Sequence, residues 1–342
     1  MDREQEILRV TRIKKKIKSA DVVALFGVSR QYAIALISVL ISKGKLIKVG
    51  STNAAYYVLP ESADEKGIFP TKITKRLKND KLQEHEIYTD IQAHYPPIGF
   101  LSENIKSVLN YSFSEMVNNA IEHSKSKYIE VEVSIKNRKL NFVVNDFGIV
   151  VFRNVMREKK LKTEIEAMQD LLKGKTTTMP KSHSGQGIFF TSKAGDVFIL
   201  ESYGYRLVIN NKTHEVFYKV LPAFKRGTKV RFSIDTASNR HLSDIFRKFS
   251  VGTDFAFNKT EIKVKLYSSG DGVHISRSQA RRILHGLEKF DSIILDFDNV
   301  PMVGQAFADE IFRVFKEKHP RIEIQPINMD DAVRFMIERV GK

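Results

Sequence analysis

Residues 128–135 read Tyr-Ile-Glu-Val-Glu-Val-Ser-Ile, with Ile129, Val131, Val133 and Ile135 alternating against Glu130, Glu132 and Ser134. A period of two sends the four branched side chains to one face of a strand and the polar ones to the other. This segment therefore belongs to a sheet with one buried face, which something apolar must cover. Leu-Asn-Phe-Val-Val-Asn-Asp follows as a second strand ending at Asp146, and a long helix is expected just before, over about 102–124. An amphipathic helix is expected over about 82–94, closed by Pro96-Pro97, and further strands over 196–202, 205–210, 215–221 and 228–234. Helices with a mainly antiparallel sheet make this middle part α+β.

Both flanks carry a different pattern. Residues 1–60 read as helix, helix, turn, helix and hairpin, and Ile7, Leu8, Val10, Ile13 and Ile17 form an apolar stripe at helical spacing. Ser19 and Ser29 are candidate N-caps, Gly27 breaks the chain between the two helices, and two β-prone runs surround a Gly-Ser-Thr-Asn turn at 50–53. Residues 61–84 are mixed and polar and read as a linker. From about 258 strands and helices alternate again, which predicts a small α/β domain to 342. There, Phe307, Ile311 and Phe315 share one helix face.

Composition narrows the chemistry. The chain has no cysteine, which excludes disulfides, thiolate zinc sites and cysteine nucleophiles and fits a cytoplasmic protein. The N-terminal residues lack an apolar core, and no run of 18 apolar residues occurs, so neither a signal peptide nor a membrane span is expected. Net charge is +16, and residues 1–60 hold eleven Lys and Arg against four acids. A local +7 on about a sixth of the chain points to a polyanionic partner.

Three blocks in the middle part carry candidate chemistry. In Phe-Ser-Glu-Met-Val-Asn-Asn, Glu115 and Asn119 lie one helical turn apart. An amide oxygen there suits Mg²⁺, and a carboxylate suits orienting or deprotonating a hydroxyl beside a phosphate. In Val-Val-Asn-Asp-Phe-Gly, Asp146 at a strand end can accept an adenine amino proton, and Gly148 lets the backbone come close. In Ser-Gly-Gln-Gly, Gly185, Gln186 and Gly187 lead into an apolar helix whose first amides can hold phosphate. Each block alone also reads as an ordinary helix face or glycine turn.

The order and spacing of the three resemble the GHKL (Bergerat-fold) superfamily of gyrases, heat-shock chaperones, histidine kinases and mismatch-repair ATPases, over about residues 85–235. The resemblance implies an α/β sandwich over 85–240 with ATP and Mg²⁺ as ligands. It also implies that Asn119 holds the metal and that Asp146, Gly148, Gly185, Gln186, Gly187 and Thr228 hold the nucleotide. Glu115 would be the catalytic base, as in the ATPases and anti-sigma-factor serine kinases of that superfamily, and 150–184 the ATP lid, with Lys173, Lys175 or Lys181 near phosphate. Val150 replaces a glycine common in the motif around Asp146, which bears on turnover more than on binding. Gly174-Lys175-Thr176 is no P-loop, because Gln169 stands where the motif needs glycine. His85 is read as a helix-surface histidine.

Residues 1–60 resemble the winged helix-turn-helix of bacterial regulators. That implies DNA contacts from Ser29, Arg30, Gln31 and Tyr32 at the recognition-helix start and from Lys43, Lys45 and Lys48 near the wing. The same fold also serves protein contacts. Residues 258–342 resemble STAS-like domains, distantly similar to anti-sigma-factor antagonists, and imply a protein partner. The phosphorylated serine of those antagonists falls at Gln305, and no Ser or Thr lies between Asn299 and Lys316. Asp309 and Glu310 are expected on a solvated helix face. The expectation is an ATP-binding, DNA-binding bacterial regulator. A serine/threonine kinase and a scaffold with structural ATP remain the alternatives, and self-association stays open.

Overall fold

A computed structural model describes residues 3–43, 45–50, 55–59, 70–175, 186–251, 256–267 and 276–340. The chain begins with α1 (Arg3–Lys14), α2 (Ser19–Phe26) and α3 (Arg30–Ser42), followed by an antiparallel pair, β1 (Ile47–Val49) and β2 (Tyr56–Val58). Gly27 caps α2 at φ 62°, and its N–H donates to the Val23 carbonyl at 2.8 Å. The Ser29 hydroxyl accepts from the Tyr32 N–H at 3.2 Å, which starts α3. The apolar stripe expected along one helix is divided. α1 stops at Lys14, Lys15 turns to φ 61°, Ile13 is 68% exposed, and Ile17 is buried by bridging to Tyr57. Ile7, Ile17, Val22, Ala33, Ile37, Leu40, Leu46, Tyr57 and Leu59 form a small core of their own.

The middle of the chain builds one seven-stranded antiparallel sheet. Its strands are β3 (Lys72–Lys78), β4 (Tyr128–Lys136), β5 (Lys139–Asp146), β6 (Val197–Ser202), β7 (Tyr205–Asn210), β8 (Glu215–Val220) and β9 (Thr228–Asp235), in the order β3-β4-β5-β9-β6-β7-β8. β3 falls inside the segment expected to be a linker. Its Ile73 and Leu77 pair with Val133 and Ile129 and pack on the core, Lys75 on the same face is paired with Asp90, and Lys72, Arg76 and Lys78 are exposed on this edge strand. β4 and β5 join through Asn137 and Arg138, both at positive φ, the backbone a two-residue hairpin needs.

Helices α4 (Glu84–His94) and α5 (Glu103–His123) cover the apolar face, with α6 (Val151–Glu158), α7 (Glu164–Lys173), α8 (Gly187–Ala194) and α9 (Leu242–Lys248) around them. α5 buries Ile105, Val108, Leu109, Phe113, Met116, Val117 and Ala120. The Phe113 ring meets Phe142 edge-on at 5.6 Å, and Phe142 stacks on Phe232 of β9 at 4.8 Å. These rings join α5 to the two central strands.

The C-terminal part has three parallel strands, β10 (Lys259–Lys263), β11 (Ser292–Asp296) and β12 (Glu323–Ile327), in that order. Helix α10 (Arg277–Leu284) and helix α11 (305–318) make the crossovers that parallel pairing needs, and α12 (Asp331–Val340) closes the chain. α11 widens into π-helical turns over Asp309–Phe315 and buries Phe307, Ile311 and Phe315. The whole is α+β, and the middle and C-terminal parts share one continuous hydrophobic core. Among the described residues no single helix is long and apolar enough to cross a membrane.

Phe142→Ala removes the ring between Phe113 and Phe232 and is expected to lower unfolding free energy by about 3–5 kcal/mol. Chemical denaturation measures it, and a loss below about 1 kcal/mol would contradict the role given to this stack.

Candidate functional site

The first half of the site is built around one buried carboxylate. β5 runs inward until Asp146, which is only 5% exposed at the strand end. The Gly148 N–H donates to Asp146 Oδ1 at 2.9 Å and the Thr228 N–H to the same oxygen at 3.2 Å. Among the described residues Oδ2 takes no hydrogen bond. Burial pushes the Asp146 carboxyl up to about 6, against the opposing pull of the two amides and Lys225. Two glycines permit this packing. A Cβ on Gly148 would lie 1.8 Å from the Ser124 carbonyl oxygen, and one on Gly227 would lie 2.2 Å from the Asp146 carbonyl oxygen, at φ +81°. Both backbones approach closer than any side chain allows.

Neighbouring hydroxyls hold the frame. Ser202 Oγ donates to the Gly227 carbonyl at 2.9 Å and lies 3.4 Å from Thr228 Oγ1. Ser126 Oγ accepts from the Phe147 N–H at 3.0 Å, and the Ser124 carbonyl accepts from the Ile149 N–H at 2.5 Å. α5 thus ends by gripping the turn that carries Gly148. Lys225 donates to Asn145 Oδ1 and lies 5.9 Å from the Phe147 ring, and burial with the nearby Lys229 charge lowers its ammonium to about 8. Ser124, Ser126, Ser202 and Lys225 were not singled out from the sequence. Isolated serines and a lysine in a basic chain carry no motif, and only the sheet register brings them to Asp146.

The second half lies on the side of α5. Glu115 and Asn119 share its face, and α8 begins against the first of them. A Cβ on Gly187 would lie 2.2 Å from Glu115 Oε2, so glycine alone lets the start of α8 rest on that carboxylate. Burial and the Glu115 charge both raise the Tyr111 hydroxyl one turn earlier, keeping it protonated. Asn119 Nδ2 is buried and has no hydrogen-bond partner among the described residues. Proteins seldom leave such a donor unpaired. Gln186 is the N-cap of α8, while Gly185 and Lys181 lie outside the described residues. Among the described residues no group of three or more His, Cys, Asp or Glu side chains gathers to hold a metal ion.

Other expectations require correction. Lys173 and Lys175 do not stand free for phosphate. Lys173 donates to the Arg282 and His285 carbonyls, both at 2.8 Å, and Lys175 to the Lys289 carbonyl at 2.6 Å. Burial of Lys173 makes its two carbonyls necessary partners. Glu310 does not lie on a solvated face: it is buried and accepts from Arg281, whereas Asp309 stays partly exposed and accepts from Arg313 and Arg277. Gln305 is exposed at the head of α11, and His85 is exposed on α4.

At the N-terminal end, Ser29 is engaged as the α3 cap, and the Tyr32 hydroxyl accepts from Arg3 at 3.1 Å. Arg30, Gln31, Lys45 and Lys48 are exposed. Lys43 is ion-paired with Glu4 at 2.7 Å. Beyond its first turn, α3 exposes Ile34 at 42% and Val39 at 40%.

The folded chain holds the Asp146 proton more tightly than the unfolded chain, whose value is near 3.8. Asp146 therefore favours folding most below pH about 4, and that contribution disappears as the pH rises through about 6. Asp146→Asn should flatten the stability profile between pH 4 and 7. Denaturation series across that range test it, and an unchanged profile would refute the assigned burial cost.

Residues 279–334, covering most of α10 through the first turn of α12, match the family described as a STAS-like domain of unknown function (DUF4325). No curated protein matches the chain. The C-terminal part is thus STAS-like.

Proposed function

We propose that the central part binds Mg-ATP in a GHKL-type site and that the chain is a nucleotide-dependent regulator whose N-terminal part is a winged helix. The observation that carries the nucleotide reading is the Asp146 cradle, a buried carboxylate with one oxygen held by two backbone amides between two glycines that admit no Cβ. Its second oxygen is the acceptor for an adenine amino group. Gly148 and Gly227 let the Ser124 and Asp146 backbone close around that carboxylate, and Thr228 completes the wall.

Asn119 and Glu115 supply the other end. The Asn119 amide, with its buried Nδ2 unpaired among the described residues, suits a phosphate oxygen through nitrogen or Mg²⁺ through oxygen. When bound, the metal supplies charge neutralisation of the phosphates. Gln186 and Gly187 present the first amides of α8 to anionic phosphate. Glu115, held against Gly187, orients or deprotonates the attacking hydroxyl or water. A water nucleophile makes the protein an ATPase, and a protein hydroxyl makes it a serine/threonine kinase.

Equilibrium binding and turnover with labelled ATP separate these roles. Asn119→Ala should weaken nucleotide binding at least about tenfold, whereas Glu115→Ala should keep binding and lower turnover by about 10²–10⁴. Free phosphate as product identifies an ATPase, and label on a protein identifies a kinase. Wild-type protein that binds no ATP at millimolar concentration would end the nucleotide reading.

For the N-terminal part we propose DNA as partner, on the +7 charge of residues 1–60 and the exposed Arg30, Gln31, Lys45 and Lys48. Exposed Ile34 and Val39 favour a second reading, in which α3 contacts a protein. DNA affinity measured across a salt series, with and without ATP, decides between them. Phosphate contacts make log affinity fall linearly with log salt. Undetectable or salt-insensitive binding would remove DNA and leave the protein contact.

A further inference from the structure

We infer that the STAS-like part and the proposed nucleotide site form one coupled body, with Lys173 as the positioning residue that joins them, so that binding at either changes affinity at the other. This rests on the nucleotide reading above. The observations that carry it lie on α7 and α8, the two helices on the phosphate side.

α7 ends inside the C-terminal part. Lys173, 4% exposed, donates to the carbonyls of Arg282 and His285 in the last turn and cap of α10. Those carbonyls have no partner within their own helix, and a cation there is favoured by the helix dipole. The Lys173 carbonyl accepts from Thr260 of β10 at 2.6 Å, and Gln169 donates to the Leu266 carbonyl at 2.6 Å. Asp170, buried, lies 3.9 Å from the Lys173 ammonium and 4.0 Å from His285. Moving α10 away would leave a buried ammonium without its acceptors, which proteins tolerate badly.

α8 is held from the same side. Phe189 and Phe190 lie 4.7 and 4.8 Å from the Phe257 ring, which lies 5.4 Å from Phe290. Gly174 packs so tightly on Phe257 that a Cβ there would lie 2.4 Å from the ring. Near the other end of α8, the charge of Glu261 in β10 acts on partly buried Lys193. The same helix starts on Glu115. Gly187–Ala194 therefore connects the proposed catalytic carboxylate to the aromatic cluster of the C-terminal part in about two turns. Linkage makes any such coupling reciprocal.

Hydrogen exchange on the full chain, with and without Mg-ATP, tests this. In wild type, nucleotide should slow exchange in 187–194 and also in 277–290, more than 100 residues away in sequence from Glu115. Lys173→Met keeps the chain length but loses the donors. It should weaken ATP binding roughly tenfold and abolish the slowing in 277–290. Lys175→Met removes the more exposed neighbouring bond to Lys289 and should reduce that slowing, which keeps the test open if Lys173→Met does not fold. Wild type that binds ATP with slowing confined to the central part overturns the coupling alone, as does unchanged transmission in both variants. Wild type that binds no ATP overturns the nucleotide reading and the inference with it.

Discussion

The packing of α5 on the sheet is the contact on which the rest depends. Phe113 enters against Phe142, which stacks on Phe232, and this column sets the height and rotation of a 21-residue helix. With its apolar side committed to the strands, α5 turns Glu115 and Asn119 to the side where α8 begins. Its last turn brings the Ser124 carbonyl to Gly148 and Ile149. One helix thus organises both halves of the candidate site. Interiors pack too densely to let such a helix rotate without opening voids.

Sheet order makes the second decision. β9 returns between β5 and β6, so Gly227 and Thr228 arrive beside Asp146, about 80 residues distant in sequence. A carboxylate at a free strand end would be hydrated and acidic. Here it is enclosed, and its affinity for a proton rises with the loss of water. The same enclosure leaves one oxygen directed by its partner's amide contacts, which is the arrangement a specific donor requires. The resulting site is closely packed around Asp146. Its other side rests on helices held by the C-terminal part.

The N-terminal part stands apart in its packing, with a core separate from the main one. Lys43 and Lys14 are ion-paired with Glu4 and Asp21, and Arg30, Lys45 and Lys48 are exposed. α3 presents a polar first turn and then Ile34 and Val39, so one helix carries both a polar end and a partly exposed apolar flank.

Much of this was legible from the chain alone. Strict alternation over Ile129–Ile135 specified a half-buried strand, because side-chain direction in a strand is local geometry. The Glu115–Asn119 spacing put both on one face of a helix expected over about 102–124, and the structure has that helix at Glu103–His123. β3 was not legible. Its charged residues serve an edge, and its identity as a strand exists only through pairing with β4. Nor was the fate of Lys173 and Lys175, which the family resemblance implied near phosphate and the fold places against carbonyls of α10 and its following turn. Local sequence determined which segments could be helices, strands and close-approach turns, since those depend on backbone sterics and period. Tertiary structure alone decided which charges are buried, which are paired and which surfaces remain open, since desolvation depends on neighbours that the chain brings together only when folded.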